Sequence, residues 1–346
     1  MSTKRGRIRI TGFDTDRVTD RERLSDWREE ATTGGTDGRW KRAWRRFREN
    51  RAAMLGVYTV AIMSLLALFS QEVVVAGVPI QPFSIAPYEP GEILYLQNPS
   101  LERFNPPTLA HPMGLDANGR DIFSRLLVGG RISISIGFVV VCITATIGMV
   151  YGAIAGYYGG WVDEVMMRFV DVIFAFPGLV LALVIVALLG GGYWPLVVAF
   201  TVPGWASYAR LIRGEVLSVK ENEYVLAAQA LGARDRSVIF RHIVPNAMAP
   251  LIVQASLSIG TVVIGVAALG FLGLGFPPGT PEWGTMLNQT RSTIITGPGG
   301  TIPWWVTVFP GGAIFLFVMA MNMIGDGIND ALDAQEISAA GAGGTE

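Results

Sequence analysis

Long apolar runs without charged residues are the feature that most constrains this sequence. The run 52–69 contains no charged residue and has about the length that a helix needs to cross the hydrocarbon core of a bilayer. Only 16% of the chain is charged and 51% is hydrophobic, whereas soluble proteins carry about 25% charged residues. Because a segment in lipid must satisfy its backbone polar groups internally, we predict an all-α, polytopic membrane protein.

Six transmembrane helices are predicted from the positions of these runs and of the polar breaks between them. They cover residues 52–69, 132–157, 169–190, 194–212, 247–275 and 304–324. In the second span, Gly137, Gly148, Gly152 and Gly156 predict a thin face that lets another helix approach closely. In the third span, Pro177 predicts a kink.

The segments outside the spans complete the predicted organisation. Residues 1–38 are polar without apolar periodicity and are predicted to be a disordered tail. Residues 39–51 place Trp40, Trp44 and Phe47 at helical spacing among basic residues. This pattern indicates a basic amphipathic helix at a membrane surface, or a positive flank that only orients the first span. Residues 52–335 form the predicted transmembrane domain, with a proline-rich external segment at 71–131, and residues 336–346 a flexible tail.

Charge asymmetry orients the predicted spans in a cell membrane. The arginines before the first span predict a cytoplasmic N-terminus by the positive-inside rule, and an even number of spans returns the C-terminus to the cytoplasm. The segment from Arg210 to Arg241 contains six basic residues, whereas the loop 276–303 contains only Arg291. We therefore predict that the polar hairpin 213–245 lies in the cytoplasm.

The sequence lacks the residues that several functional classes of protein require. The three lysines, Lys4, Lys41 and Lys220, do not lie in the glycine-rich pattern that binds nucleotide phosphates, so no nucleotide site is predicted. One cysteine, Cys142, and two histidines cannot form a histidine-cysteine metal cluster, so neither a metal nor another cofactor is predicted. The net charge of -1 gives no reason to expect a nucleic-acid partner.

Two other classes remain open from the residues alone. A self-contained secondary carrier or channel usually places ionisable residues within its spans, and here Asp171 is the exception. Arg168, three positions earlier, is predicted to pair with Asp171, which favours a structural role. A membrane-bound enzyme needs a catalytic constellation, for which His111 beside Asp116 in an outer loop is a weak candidate.

The segment 224–245 is the longest polar interruption in the second half of the chain. It predicts two short helices, with Gly232 as a left-handed C-cap of the first and Asp235 as the N-cap of the second. Pro245 is predicted to end the second helix, which then has about 8 residues and a length of about 12 Å. Small residues would let a partner backbone approach closely, although an ordinary amphipathic surface loop is the alternative.

The order Ala227-Ala228, Gly232, then Pro245 thirteen positions later resembles the EAA motif of ABC importer permeases. The flanking Tyr224 and the segment 241–246 (RHIVPN) resemble the oligopeptide/dipeptide (and nickel) subfamily. Further matches to this subfamily are the segments 111–116 (HPMGLD), 119–125 (GRDIFSR), 168–171 (RFVD) and 271–275 (FLGLG). The basic helix and the first span are similar to the N-terminal part of its C-type subunit, and the resemblance covers about residues 40 to 335.

The resemblance implies a type I permease fold and a permease subunit of a binding-protein-dependent ABC importer. Its implied partners are a second homologous permease, two ATP-binding subunits, an external solute-binding protein and the lipid bilayer. The ATP-binding subunits would dock on the hairpin, and the substrate would be a peptide, nickel or a similar small solute. The residues implied in this coupling are Tyr224, Ala227, Ala228, Gly232, Ala233, Arg234, Asp235, Arg236, His242 and Pro245.

Two positions depart from the family pattern. Leu226 and Val266 stand where glutamates are usual, so docking is expected to depend on shape, small residues and the Arg234/Arg236 rim. On the outer side, Arg291, Arg120 and Glu282 are candidates for contact with the binding protein, and solvated surface charges are the alternative interpretation.

Overall fold

The part of the chain that can be described is nearly all helical, as predicted. The computed structural model describes residues 36–75, 78–291 and 302–342, so most of the predicted N-terminal tail lies outside the described residues. One short antiparallel pair, β1 (Val73–Val75) and β2 (Val78–Gln81), departs from the all-α prediction. The helices are α1 (Thr36–Glu49), α2 (Arg51–Leu68), α3 (Ile122–Tyr158), α4 (Gly160–Phe174), α5 (Gly178–Leu189), α6 (Tyr193–Lys220), α7 (Glu223–Ala230), α8 (Asp235–Val238), α9 (Val244–Phe271), α10 (Trp283–Gln289) and α11 (Trp305–Ala342).

Four helices are long and apolar enough to cross a membrane, namely α2, α3, α9 and the Trp305–Leu332 part of α11. Helices α4 and α5 together make a fifth candidate, but they are bent by 79° at a short break. The predicted fourth span lies within α6, which carries Arg210 and Arg213 in its second half. The predicted count of six spans is therefore not confirmed within the described residues.

The break between α4 and α5 is larger than the predicted kink. Pro177 occupies the position before α5, with φ −58° and ψ 122°, an extended conformation that cannot continue α4. Proline also restricts the residue before it, here Phe176, so a helix cannot continue through this segment. Helix α4 ends at Phe174, and the chain then changes direction by 79°. The third apolar run is thus divided between the end of α4 and α5, at an angle of 79°.

Helix α3 begins at Ile122, well before the predicted start of the second span. The carboxylate of Asp121 caps it by accepting a hydrogen bond from the Ser124 backbone N–H at 2.8 Å. With 37 residues, the helix is about 55 Å long and joins the two ends of the molecule. The predicted external segment 71–131 therefore ends in the first turns of this helix.

The contact between α3 and α6 is the most extensive contact between two described helices. Gly148, Gly152 and Gly156 lie so close to α6 that a methyl group on any of them would overlap atoms of that helix. Gly137 makes the same kind of contact with Val263 of α9. The predicted thin face of the second span is confirmed, and it allows the helix backbones to approach as they do in membrane helix pairs.

Two tryptophan side chains close the end of the molecule at which α3 begins. The Trp305 indole N–H donates to the Leu115 carbonyl at 3.2 Å, and the Trp283 indole N–H donates to the Leu126 carbonyl at 3.0 Å. These bonds fasten the loop before α3, the first turns of α3, and the starts of α10 and α11 to one another. We call this end, residues 81–126 and 277–291 with the start of α11, the cap.

Helix α1 packs against the last part of α11. Phe47, Ala53 and Ala331 form a small buried apolar cluster, and the Asn50 amide donates to the Asp330 carboxylate at 3.2 Å. Trp44 is 60% exposed, which agrees with an amphipathic helix at a surface. Helix α11 continues to Ala342, into the segment that the sequence predicts to be a flexible tail.

Candidate functional site

The hairpin is shorter than the predicted 213–245, because residues 213–220 belong to α6. It comprises residues 221–245 and begins with α7 and a tight left-handed turn. Gly232 has a φ of +79°, as the predicted C-cap requires. The Ala233 N–H donates to the Ala228 carbonyl at 3.0 Å, and the Gly232 N–H donates to the Gln229 carbonyl at 2.9 Å. This pair of bonds is a Schellman motif, which satisfies carbonyls at the end of α7 and reverses the chain.

The second limb of the hairpin differs from the prediction. Helix α8 passes into a π-helical turn over Ile239–Ile243 and then directly into α9. Pro245 does not end this helix, because it lies in the first turn of α9, directly after the π turn, and the helix continues to Phe271. In the π turn, the Val244 N–H bonds to the Ile239 carbonyl five residues back. The second limb of the hairpin and α9 are therefore one continuous helical element.

Asp235 has a different role from the predicted N-cap. It is the first residue of α8, and the Arg234 carbonyl accepts the first bond of the helix, from the Val238 N–H at 3.1 Å. The Asp235 carboxylate instead accepts a hydrogen bond from the Tyr157 hydroxyl at 2.7 Å. This bond links the hairpin to the last turn of α3.

A second anchor joins the same end of α3 to α6. The Lys220 ammonium donates to the Tyr157 carbonyl at 2.6 Å, just before the hairpin begins. Val225, Val238 and Ile243 are fully buried and belong to the main apolar core. One side of the hairpin is thus fixed to the membrane helices by both hydrogen bonds and packing.

The other side of the hairpin is exposed. Leu231 is 89% exposed and Phe240 is 67% exposed, and Leu226 and Tyr224 are about half exposed. The predicted coupling residues Ala227, Gly232, Arg234, Asp235 and Pro245 are exposed as well, whereas Ala228 and Ala233 are half-buried. The side chains of Arg236 and His242 lie outside the described residues. The sequence did not single out Leu231 and Phe240, although both are large apolar residues within a polar segment.

The predicted pairing of Arg168 with Asp171 does not occur. Arg168 donates to Glu164 at 2.7 Å within α4, and Asp171 accepts from Arg210 of α6 at 2.8 Å. The i,i+4 spacing of Glu164 and Arg168 favours the first pair, and the packing of α4 on α6 supplies the second. Near the start of α4, Asp163 accepts two hydrogen bonds from the guanidinium of Arg213 on α6.

Glu282 and Arg120, predicted as binding-protein contacts or as solvated charges, are instead buried in the cap, with 1% and 7% exposure. The Glu282 carboxylate caps α10 by accepting from the backbone N–H groups of Gly284 and Thr285 and also accepts from the Ser133 hydroxyl. Burial raises the pKa of Glu282, and these hydrogen bonds oppose that shift. Arg291 is exposed, and its guanidinium lies over the Phe271 ring.

His111, the histidine considered as a catalytic candidate, is paired with a carboxylate that caps a helix. His111 Nδ1 lies 3.1 Å from the Asp121 carboxylate, and Asp116 is engaged by arginines instead. Among the described residues, no group of three or more histidine, cysteine, aspartate or glutamate side chains could hold a metal ion. Val266, at the position of a usual glutamate, is buried in an apolar cluster.

Comparisons with known proteins agree with the resemblance drawn from the motifs. A model of the family described as binding-protein-dependent transport system inner membrane component matches residues 148–336. A model described as the N-terminal TM domain of oligopeptide transport permease C matches residues 38–107. The two matches together include most of α1, the first span, the last part of α3 and the hairpin.

Named relatives extend the match to most of the chain. The chain is 40% identical over 294 residues to the glutathione transport system permease protein GsiD of Escherichia coli O6:K15:H31, covering 85% of this chain and 90% of that protein. The GsiD of Pectobacterium atrosepticum is also 40% identical, over 295 residues with the same coverage. A crystal structure of an amino acid ABC transporter with histidines covers 62% of this chain and 94% of its own, with 17% identity and a TM-score of 0.42.

The family matches, the apolar helices and the motifs point to one kind of protein. Its members are multi-pass components of the inner membrane, which form the pore and are not enzymes, and they work with ATPase and solute-binding partners. The chain belongs to the binding-protein-dependent transport system inner membrane component family, as a permease subunit of an ATP-driven (ABC) importer of the oligopeptide/dipeptide type.

Proposed function

We propose that this chain forms half of the translocation path for a small peptide or a similar solute, and that the hairpin 221–245 is the docking site of the ATP-hydrolysing subunits. The observation that carries this proposal is the exposed apolar surface of the hairpin. Leu231 and Phe240 are 89% and 67% exposed, and Leu226 and Tyr224 of the same hairpin are about half exposed. Exposed apolar groups with a polar rim are typical of protein interaction sites, and a solvated loop has no need of them.

The fixed side of the hairpin supports a role in transmitting movement. Its second limb continues into α9 without a break, and Asp235 is bonded to Tyr157 of α3. A displacement of the docked hairpin would therefore move α9 and the end of α3 together. Rigid-body shifts of this kind alternate access to a central site when two packed arrangements are close in free energy.

The proposed assembly contains this chain, a second homologous permease, two ATP-binding subunits and an external solute-binding protein. Both termini lie in the cytoplasm in this proposal, on the same side as the hairpin. The cap then faces the binding protein. The relatives that are named for glutathione transport support a short peptide as the substrate class, and nickel is the alternative within the subfamily.

Replacement of Leu231 by aspartate tests the docking site. The Leu231 side chain is almost fully exposed, so the variant should insert and fold normally. An aspartate should remove the apolar contact and place a charge in the interface, where desolvation is costly. We expect the Leu231→Asp variant to lose most of the ATPase subunits that co-purify with the wild-type chain and to lose ATP-dependent uptake.

Leu109→Asp is the matched control, because Leu109 is also fully exposed but lies in the cap. This variant should retain the ATPase subunits. Equal retention of the ATPase subunits by the Leu231→Asp variant and by the wild-type chain would contradict the proposed docking surface.

A further inference from the structure

Helix α1 has a basic side that faces away from the rest of the molecule. Lys41, Arg45 and Arg48 are exposed, and their spacing of four and then three residues places them in one row along the helix. None of the three forms an ion pair with a carboxylate of the described residues. The opposite side of α1 is buried, because Ala43 and Phe47 lie there. We call the three exposed residues the basic row.

The described acidic residues near α1 do not neutralise the basic row. Helix α11 packs on the buried side of α1, where Phe47 and Ala331 share an apolar cluster. On that side, the Asp330 carboxylate accepts a hydrogen bond from the Asn50 amide. Glu49 is the only acidic residue between positions 41 and 51, and it forms no ion pair within the described chain. The basic row therefore remains positive on its exposed side.

The position of α2 determines the depth of the basic row in the membrane. Helix α2 has 18 residues and a length of about 27 Å, which is close to the thickness of the hydrocarbon core of a bilayer. It begins at Arg51, two residues after α1 ends. Its side chains Leu55 and Ile62 are more than half exposed, as expected of a helix beside lipid. The last turns of α1, with Arg45 and Arg48, therefore lie at the level of the lipid headgroups.

Trp44 lies between the basic row and the buried side of α1. It is 60% exposed, and its ring stacks on that of Phe47 with 5.8 Å between the ring centroids. Tryptophan is enriched at the membrane–water interface, because its ring contacts apolar groups while its N–H reaches water. Trp44 thus supports the same depth for α1 as the length of α2 does.

We propose that the basic row binds the phosphate groups of anionic phospholipids, so that α1 is a selective lipid contact and not only a flank that orients the first span. Anionic headgroups supply the negative charge that the row lacks. Each lysine or arginine near an anionic surface strengthens binding about fivefold, whereas a zwitterionic headgroup has no net charge to offer. Because α1 packs on α11 through Phe47 and Ala331, the bound lipid also holds the end of α11.

Hydrogen exchange of the full-length chain, purified with its partner subunits, tests the proposal in lipid nanodiscs. One set of nanodiscs contains phosphatidylcholine alone, and the other contains phosphatidylcholine and phosphatidylglycerol in equal parts. The amides of residues 42–49 should exchange about tenfold more slowly, or slower still, with phosphatidylglycerol, since three basic residues contribute. Exchange along the α3–α6 contact should be the same in both. Equal exchange of α1 in the two lipids would overturn the proposal.

Inorganic phosphate distinguishes a lipid headgroup from a soluble anion. Added to the phosphatidylcholine nanodiscs at constant ionic strength, it should leave the exchange of α1 unchanged. If phosphate slows exchange as much as phosphatidylglycerol does, the basic row binds a soluble anion and the proposal fails.

The double variant Arg45→Gln/Arg48→Gln makes the test specific to the basic row. Four basic residues remain between positions 41 and 51, so the first span should keep its orientation. Both side chains are exposed, and glutamine is a good helix former, so α1 should fold. We expect this variant to lose most of the difference in α1 exchange between the two lipids.

Arg103→Gln/Arg291→Gln is the matched control, because it also removes two exposed arginines but at the cap. This variant should keep the wild-type difference between the two lipids. A full lipid dependence of α1 exchange in Arg45→Gln/Arg48→Gln, or its loss in the control variant, would contradict binding by the basic row.

Discussion

The hydrogen bond between Tyr157 and Asp235 should determine how firmly the hairpin is held. It joins the end of α3 to the first residue of α8 over 2.7 Å, and Tyr157 is only 6% exposed. A hydrogen bond to a charged group contributes about 1.5–3 kcal/mol when buried. Because Asp235 is exposed to water, we expect a reduced contribution of about 1–1.4 kcal/mol. This corresponds to a five- to tenfold change in an equilibrium constant.

Tyr157→Phe removes this bond and preserves the aromatic ring. Local opening of the hairpin should therefore become about five- to tenfold more frequent. Hydrogen exchange measured by mass spectrometry on the purified complex reports that opening directly. We expect faster exchange of the amides in residues 223–243 and unchanged exchange along the α3–α6 contact.

Tyr158→Phe is the matched control for this measurement. Tyr158 is the neighbouring residue, its ring is 54% exposed, and its hydroxyl forms no hydrogen bond within the described residues. Its loss should leave hairpin exchange unchanged. If the Tyr157→Phe hairpin exchanges at the wild-type rate, the bond does not hold the hairpin, and the reasoning about the fixed side of the hairpin fails.

Two further predictions concern packing and pH. Gly152→Ala should destabilise the protein by about 1–3 kcal/mol through overlap with Ala209 of α6. Gly214 lies on α6 where an added methyl group would meet no other atom. Gly214→Ala should therefore leave the free energy of unfolding unchanged or raise it by up to about 1 kcal/mol. Thermal unfolding in detergent compares the two variants. Burial raises the folded-state pKa of Glu282 above its ordinary value of 4.5, so the folded protein binds more protons than the unfolded chain between the two pKa values. The stability that protonated Glu282 confers should therefore be complete below pH 4.5 and should fall as pH rises through the folded-state pKa. This dependence of the unfolding free energy on pH should be absent in Glu282→Gln, which thermal unfolding at a series of pH values measures.

Features that depend on local chain geometry could be predicted from the sequence. Gly232 was identifiable because a left-handed C-cap is a property of a few consecutive residues. The glycine face of α3 was identifiable because its spacing alone places Gly148, Gly152 and Gly156 on one side of a helix. The family motifs were recognisable for the same reason, since each is a short run of residues.

Features that depend on distant parts of the chain could not be predicted. Glu282 follows a proline in what reads as an exposed loop, and its burial depends on Ser133, 149 residues away in sequence. Asp171 has Arg168 as a near neighbour, but packing of α4 on α6 brings Arg210 closer. Pro245 reads as the end of a helix, and a π turn before it allows the helix to continue.

In the proposed function, the course of the helix through Pro245 determines how the hairpin would transmit movement. A hairpin joined to the membrane helices by two flexible turns would absorb the movement of a docked subunit. In this chain, α7 follows a turn after α6, whereas α8 continues through the π turn into α9. A force applied at Leu231 or Phe240 would therefore be transmitted to α9 through a continuous helix. The turn between α6 and α7 would absorb part of the movement toward α6. Because α9 packs on α3 and α11, the proposed movement would reach both helices through α9, and the Tyr157–Asp235 bond would make the end of α3 follow it.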